Sequence, residues 1–216
     1  MYGRCFNEYY HDKRLCIALS TVGLCKLNLP TFDTVPLFIS MKRTEWFKRT
    51  FPVIEDNGLL PSIIERLSGT PARVEEIIGQ LDPDLLTIKP DGKWSIKEEI
   101  GHLGDIEPLW AGRIDDFING LTDLRPADLT NQATHDADHN DTKIVTLLQR
   151  FREQRQVLVN KLLTLTDEQL ERKALHPRLK TPMRVIDLAY FTAEHDDHHL
   201  ACVRAIIREY SGEYQG

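Results

Sequence analysis

The sequence predicts an all-α fold, a four-helix bundle formed by one domain. Apolar residues recur at three- and four-residue steps in four separate stretches, which is the period of an amphipathic helix. No stretch sustains the alternation of apolar and polar residues that is typical of a half-buried strand. The chain has 216 residues, of which 41% are hydrophobic, so it is long enough to bury a core. Four long helices with one loop of about twenty residues favour a bundle.

Local signals bound the first two helices. The first begins near Leu59, and the triplet Gly69-Thr70-Pro71 predicts a kink or break within it. The turn Pro90-Asp91-Gly92 precedes the second helix, which Ser95 and Glu98 begin with a capping box. The apolar positions that support these helices are Leu60, Ile63, Ile64, Leu67, Val74, Ile77, Ile78 and Leu81, followed by Ile96, Ile100, Leu103, Trp110, Ile114 and Phe117.

The remaining two helices follow a polar loop. The second helix ends near Gly120, and residues 121–140 form a loop rich in Asp and Asn. The third helix starts at about Asp141. Thr181-Pro182 then opens the last helix, with proline at the first helical position.

Charge and composition argue against several classes of partner. The net charge of −6 disfavours non-specific binding to nucleic acid or to anionic membranes. From residue 41 onward, no apolar run approaches the roughly 18 residues of a membrane span. The four cysteines include no Cys-x-x-Cys pair, and three of them lie in the first 25 residues. This pattern favours a reducing, cytoplasmic location over a disulfide framework or a zinc ribbon.

Two histidines of the last helix form the main candidate site. His195 and His199 are four residues apart, which stacks them on one helical face about 6 Å apart along the axis. They lie in the apolar stripe of that helix, whereas His198 lies at its margin. Buried imidazoles need partners for their nitrogens, and one divalent metal ion can serve both. The residues that share this stripe are Val185, Leu188, Ala189, Thr192, Val203, Ile206 and Ile207.

The second helix offers a third imidazole and a carboxylate. His102 lies at the edge of its apolar stripe, and Glu99 falls on the inward face about one turn away. A carboxylate inside a bundle needs a cationic or imidazole partner. Glu99 is therefore a candidate to orient a histidine, to act as a fourth ligand or to serve as general base. Asp196 also projects inward and is a weaker candidate for the same roles.

Other interpretations compete with a metal site. A single buried histidine is more often a satisfied core residue than a ligand. The zinc-protease motif requires Glu after its first histidine, where this chain has Asp196. His135 and His139 are more simply residues of a solvated polar loop than ligands. Cys202 is interpreted as buried packing, with a reactive thiol as the alternative, and the three tryptophans are interpreted as packing residues.

Two runs of the chain resemble the DinB-like superfamily, including its YfiT-like members, which are regarded as metal-dependent hydrolases. They are Trp94–Asp105 and, about ninety residues later, His195–Ala201. The resemblance covers roughly residues 41–210. It implies a four-helix bundle with an up-down-down-up arrangement, and a homodimer.

The resemblance also implies a metal and its ligands. Family members hold zinc or nickel with one histidine of the second helix and a His-x-x-x-His pair of the fourth. In this chain the matching positions are His102, His195 and His199, and no motif position departs from the pattern. His198 is a frequent neighbour in such sequences rather than a ligand.

Residues 1–40 are interpreted as an N-terminal extension, and residues 41–212 as the bundle. The stretch 14–25 is mildly apolar and follows basic residues, as in a signal peptide, but it is short and lacks a small-residue cleavage site after it. Met41–Phe47 looks like a family start. We therefore expect a natural start at Met41 and poor packing of the residues before it.

Three protein ligands leave a coordination position open, as in catalytic zinc sites. The sequence therefore favours a metal-dependent enzyme acting on a small molecule, either a hydrolase or an S-transferase that uses a low-molecular-weight thiol, with Glu99 as its acid–base or orienting group. One alternative is a metal-binding stress-response protein without turnover, which predicts a closed site. Another is a helical interaction module without metal.

Overall fold

The structure is a computed structural model, and it describes residues 43–210. The expectations for residues 1–40 and for the proposed start at Met41 lie outside the described residues. Short 3₁₀ turns span Trp46–Lys48, Asn57–Leu59, Pro83–Thr87 and Pro90–Gly92. The helices are α1 (Leu60–Ile78), α2 (Ile96–Ile118), α3 (Gln132–Asp136), α4 (Ile144–Leu163), α5 (Asp167–Glu171) and α6 (Val185–Tyr210), and the strands are β1 (Ala174–Leu175) and β2 (Pro182–Met183).

The prediction of an all-α four-helix bundle is confirmed. Helices α1, α2, α4 and α6 are long, and α2 packs against both α4 and α6, as α1 does. The capping box of Ser95 and Glu98 begins α2 as predicted. Among residues 43–210, no helix is both long enough and apolar enough to cross a bilayer.

Two apolar clusters fill the bundle. Members of the first cluster include Leu67, Trp110, Phe117, Leu158 and Phe191. Members of the second cluster include Val74, Ile100, Leu103, Phe151 and Val203. Along α1 and α6 the chain meets the first cluster and then the second, whereas along α2 and α4 it meets them in the reverse order. This order is consistent with an up-down-down-up arrangement.

A buried polar layer separates the two clusters, and each long helix contributes one residue to it: Thr70, Glu107, Arg155 and Asp196. The guanidinium of Arg155 donates to Glu107 Oε1 at 2.5 Å and to Asp196 Oδ2 at 2.5 Å. Thr70 Oγ1 donates to the same Asp196 oxygen at 2.8 Å. The layer thus ties all four helices at mid-height.

Of the kink or break predicted at Gly69-Thr70-Pro71, the break is wrong, because α1 runs unbroken from Leu60 to Ile78. A proline within a helix has no N–H to donate to the carbonyl four residues earlier. Here that carbonyl belongs to Leu67, and it accepts a hydrogen bond from Arg155 Nη1 at 2.9 Å. A tertiary contact therefore replaces the missing helical hydrogen bond.

The predicted start of the last helix is also wrong. Pro182 lies in β2, which pairs antiparallel with β1, and the helix begins at Val185. The backbone N–H of His176 donates to the carbonyl of Thr181 at 3.0 Å and closes the turn between the strands. Asp187 then accepts the backbone N–H of Arg184 at 2.9 Å, which satisfies a free donor at the helix start. Strands of two residues are too short to show alternation.

The loop of residues 121–140 is more ordered than its polarity predicts. It contains the short helix α3 and packs closely against α2. At Gly101 a Cβ atom would lie 2.4 Å from the ring of His139, so only glycine allows this approach. The loop thereby reaches the α2 face that carries His102.

Candidate metal centre

The three predicted ligands converge in space. His102 of α2 and His195 and His199 of α6 are buried, and each offers a ring nitrogen such that the three atoms lie within 4.8 Å of one another. The Nε2 atoms of His195 and His199 are 3.1 Å apart. Helix α6 presents both of its histidines on one face, and the packing of α2 against α6 brings the third histidine to them.

Hydrogen bonds assign the proton on two of the rings. Thr134 Oγ1 donates its proton to Asp105 Oδ2 at 2.9 Å, so the contact of 3.0 Å with His102 Nδ1 requires the ring to donate. Glu99 Oε2 lies 2.6 Å from His199 Nδ1 and accepts its proton in the same way. Both rings therefore keep the lone pair on Nε2, the atom that faces the site.

A network of hydrogen bonds and ion pairs around Asp105 holds His102 in position on the side of the loop 121–140. His139 Nε2 lies 2.8 Å from Asp105 Oδ2, and Arg150 forms an ion pair with Oδ1 of the same carboxylate at 2.9 Å. Despite its burial, the pKa of Asp105 is lowered by the hydrogen bonds from His139 and Thr134 and by the charges around it. A charged Asp105 holds Thr134 in the orientation that accepts from the histidine.

Burial keeps the imidazoles neutral. Burial, with a smaller contribution from the neighbouring His199, lowers the pKa of His102 to about 3. Burial lowers the pKa of His199 to about 4, and that of His195 falls well below its ordinary value. Neutral imidazole is the form that binds a metal ion.

The donor set fits a divalent cation. Two nitrogens bound to one tetrahedral metal at about 2.0–2.1 Å lie about 3.3 Å apart, close to the 3.1 Å between His195 and His199. Without a cation, one proton shared by these two Nε2 atoms is the competing arrangement. Within residues 43–210, Nδ1 of His195 has no hydrogen-bond partner.

The carboxylates differ in what they contact. Glu99, the predicted orienting residue, binds His199, and burial raises its pKa to about 7. Asp196, the weaker candidate, lies instead in the buried polar layer and pairs with Arg155. It therefore does not join the three histidines.

A cavity of about 340 Å³ adjoins the histidines. The three tryptophans interpreted as packing residues all line this cavity. Between ring centres, Trp94 lies 4.7 Å from His102. Trp46 lies 5.1 Å and Trp110 lies 5.4 Å from His195. Other lining residues are Phe47, Ile106, Arg113, His176, Arg178, Phe191, His198 and Cys202. The wall is thus largely apolar with a few polar groups, as in small-molecule sites.

The remaining sequence candidates fall into three groups. His135 is exposed, as expected for a loop, whereas the interpretation of His139 as a solvated loop residue is wrong because it is buried against Asp105. His198 and Cys202 line the cavity, and Cys202 Sγ lies 3.9 Å from His198 Nε2. Burial and the nearby Glu99 raise the pKa of Cys202 to about 12, which favours an unreactive thiol.

Sequence reasoning missed Arg155 and Glu107, although their spacing carries a signal. Arg155 follows Phe151 by four residues and precedes Leu158 by three, so it lies on the apolar stripe of its helix. Glu107 stands in the same relation to Leu103 and Trp110. Thr134, which forms a hydrogen bond with His102, has no such signal because it lies in the five-residue helix α3, which is too short to show an apolar period.

Comparison with known proteins gives two matches of interest. A sequence model of the DinB superfamily matches residues 66–203. The chain is also similar in structure to YfiT from Bacillus subtilis, described as a probable metal-dependent hydrolase with an unusual four-helix bundle topology. The TM-score is 0.67 at 21% identity, over 76% of this chain and 94% of that chain. No curated protein matches the chain.

Proposed function

Because the chain belongs to the DinB superfamily, we propose that it is a divalent-metal-dependent enzyme that hydrolyses a small molecule. The observation that carries the proposal is the group of three buried histidines beside a largely apolar cavity of about 340 Å³. The description of YfiT as a probable metal-dependent hydrolase supports the same reaction class. Zinc or nickel suits an all-imidazole donor set.

Each residue has a proposed role. His102, His195 and His199 would hold the cation through Nε2, and Glu99 would hold His199 in the required tautomer. When bound, the cation supplies Lewis acidity, which lets water or a thiol react as its conjugate base near neutral pH. Since Glu99 lines the cavity and has a pKa near 7, it is also suited to accept a proton from the nucleophile.

Transfer of a small thiol is the second candidate. The same three ligands leave a position open for a thiolate, and the cavity has room for a second reactant. A metal-binding protein without turnover would need a fourth protein ligand at the same cation. Glu99 is engaged with His199 instead, and it does not belong to the group of three histidines.

Substitution of Glu99 by glutamine tests its role. We expect zinc affinity to fall about 10- to 100-fold, since the amide orients His199 less strongly. At saturating zinc, loss of a proton acceptor should still lower the rate by about 10² or more. The assay compares zinc-loaded and chelator-treated protein on p-nitrophenyl esters, and on 1-chloro-2,4-dinitrobenzene with and without added cysteine.

The result separates the alternatives. Zinc-dependent ester hydrolysis supports the hydrolase, and turnover only with cysteine supports the S-transferase. Zinc binding without turnover of any substrate favours the non-catalytic protein. An E99Q rate equal to that of the wild type at saturating zinc would remove Glu99 from the chemistry and leave it as a positioning residue.

Zinc binding should also resist mild acid. A histidine with a lowered pKa stays neutral until the pH falls to that value, so protons compete with zinc only near pH 4. Three histidines of ordinary pKa would lose about 10³-fold in affinity between pH 7.5 and 5.5. Protonation of Glu99, whose pKa is about 7, weakens its hydrogen bond to His199 over the same range, so for this chain we expect a loss of about tenfold, measured by competition titration. A loss near 10³-fold would contradict the burial argument.

A further inference from the structure

The cavity beside the histidines also carries two arginines. Arg113 of α2 is 2% exposed, and Arg178 lies in the turn between β1 and β2. Within residues 43–210, neither guanidinium forms an ion pair with a carboxylate. The acidic Asp116, which attracts Arg113, is itself held by Arg125 at 2.6 Å. Two cations thus line one largely apolar cavity, and neither is paired with a carboxylate among residues 43–210.

The contacts of Arg113 leave donors unused. Nε donates to the carbonyl of Arg125 at 3.1 Å, and Nη1 lies 3.2 Å from Nε2 of the buried His176. The other nitrogen of that ring, Nδ1, faces the backbone N–H of Leu179 at 3.2 Å. A neutral imidazole can accept at only one ring nitrogen. Because the N–H of Leu179 donates to Nδ1, the ring proton is on Nε2 and faces the guanidinium of Arg113. Two N–H donors, one from His176 and one from Arg113, therefore face each other with no acceptor between them.

Arg178 is unsatisfied in the same sense. Its Nη2 atom is buried and has no hydrogen-bond partner among the described residues. The guanidinium instead lies against aromatic rings, 5.2 Å from Phe47, 5.6 Å from Phe191 and 5.9 Å from Trp46. A buried, charged donor without an acceptor is costly, so an anion in the cavity would stabilise it.

Single aromatic side chains separate these cations from the histidines. The Trp110 ring lies 5.3 Å from the guanidinium of Arg113 and 5.4 Å from the His195 ring. Trp46 lies 5.9 Å from the guanidinium of Arg178 and 5.1 Å from the His195 ring. A ligand whose apolar body is about one aromatic ring long can therefore contact the arginines at one end and the histidines at the other.

We infer that the cavity recognises a small carboxylic acid, whose carboxylate is bound by Arg113, Arg178 and the Nε2 proton of His176. Its apolar body lies against Trp46 and Trp110. This inference rests on the proposed function in one respect, because it assigns the substrate class for the reaction at the three histidines. The carboxylate has two planar oxygens, which match the paired donors of a guanidinium.

Charge supports a monoanion rather than a dianion. Burial, together with repulsion by the other arginines, lowers the pKa of Arg113 to about 10, and burial lowers that of Arg178. Burial and both arginines lower the pKa of His176 to about 4, so it is a neutral donor. The acidic Asp128 on the cavity wall accepts hydrogen bonds from Thr130 and opposes additional negative charge.

The test compares a carboxylate with its neutral amide. Binding of 3-phenylpropanoate and of 3-phenylpropanamide to the full chain is measured by calorimetry, with chelator-treated and zinc-loaded protein. We expect the carboxylate to bind at least tenfold more tightly than the amide in both states. The R178M variant should reduce this ratio to within about twofold, whereas the exposed R208M variant, with the same change in charge, should retain it.

Several outcomes would overturn the inference. These are equal binding of the two compounds, no detectable binding of either at millimolar concentration, or an unchanged ratio in R178M. A preference seen only with zinc and retained in R178M would place the carboxylate on the metal. Tenfold tighter binding of 3-phenylpropyl phosphate than of 3-phenylpropanoate would change the ligand class. Because binding is also measured on chelator-treated protein, the carboxylate preference can be tested even if the three histidines bind no metal.

Discussion

Replacing His102 with alanine is expected to abolish tight zinc binding while the bundle stays folded. Zinc held by protein ligands is worth about 10–16 kcal/mol, so removal of one ligand should weaken it by about 10³-fold or more. His102 comes from a different helix than the other two histidines, and its loss therefore leaves only the His195–His199 pair. Competition with a chromophoric chelator measures the affinity, and circular dichroism measures the fold.

His135 provides the matched control for this variant. It is also a histidine near Trp94, with ring centres 5.9 Å apart, but it is exposed and lies outside the group of three. We expect H135A to bind zinc as the wild type does. Wild-type zinc affinity in H102A would refute the proposed ligand set, and weakened binding in H135A alone would move the site to the loop.

Replacing Arg155 with methionine is expected to destabilise the fold by about 3–5 kcal/mol, because it leaves buried carboxylates without their cation. Arg155 donates to Glu107, to Asp196 and to the carbonyl of Leu67 opposite Pro71. Burial raises the pKa of Glu107 to about 7 even beside the guanidinium, with a smaller contribution from repulsion by Asp196. Urea unfolding of chelator-treated protein measures the free energy.

Arg152 is the control for this prediction because it lies on the same helix and faces solvent. It forms an exposed ion pair with Glu75 at 2.5 Å. Exposed pairs contribute about 0–1 kcal/mol, so R152M should unfold almost as the wild type does. If R155M matched R152M in stability, the buried polar layer would not hold the helices together.

Most of the fold could be predicted from local patterns. The three- and four-residue spacing of apolar residues predicts the long helices, and Ser95 with Glu98 marks where α2 begins. The spacing of His195 and His199 is local in the same way, because one turn of helix places them on one face. The third histidine, His102, is predicted from its place at the edge of the apolar stripe of α2 and from the family resemblance.

Features that depend on distant contacts were harder to predict. The unbroken α1 at Pro71 requires a donor from α4, and the extended Pro182 requires pairing with β1. Thr134 holds His102 from a loop whose composition resembles that of solvated loops. Arg113 and Arg178 carry no spacing signal that relates them to the histidines, since they lie 65 residues apart in the chain.

The amino-acid order alone determines the helical periodicity of this chain and the pair of imidazoles that one helical turn stacks together, since both follow from geometry within a few residues. Only the tertiary structure decides which carboxylate meets which cation, which loop supports the third imidazole and which cations face the same cavity. These depend on how helices and loops pack across long sequence separations, where burial makes each polar group dependent on whichever partner lies within reach.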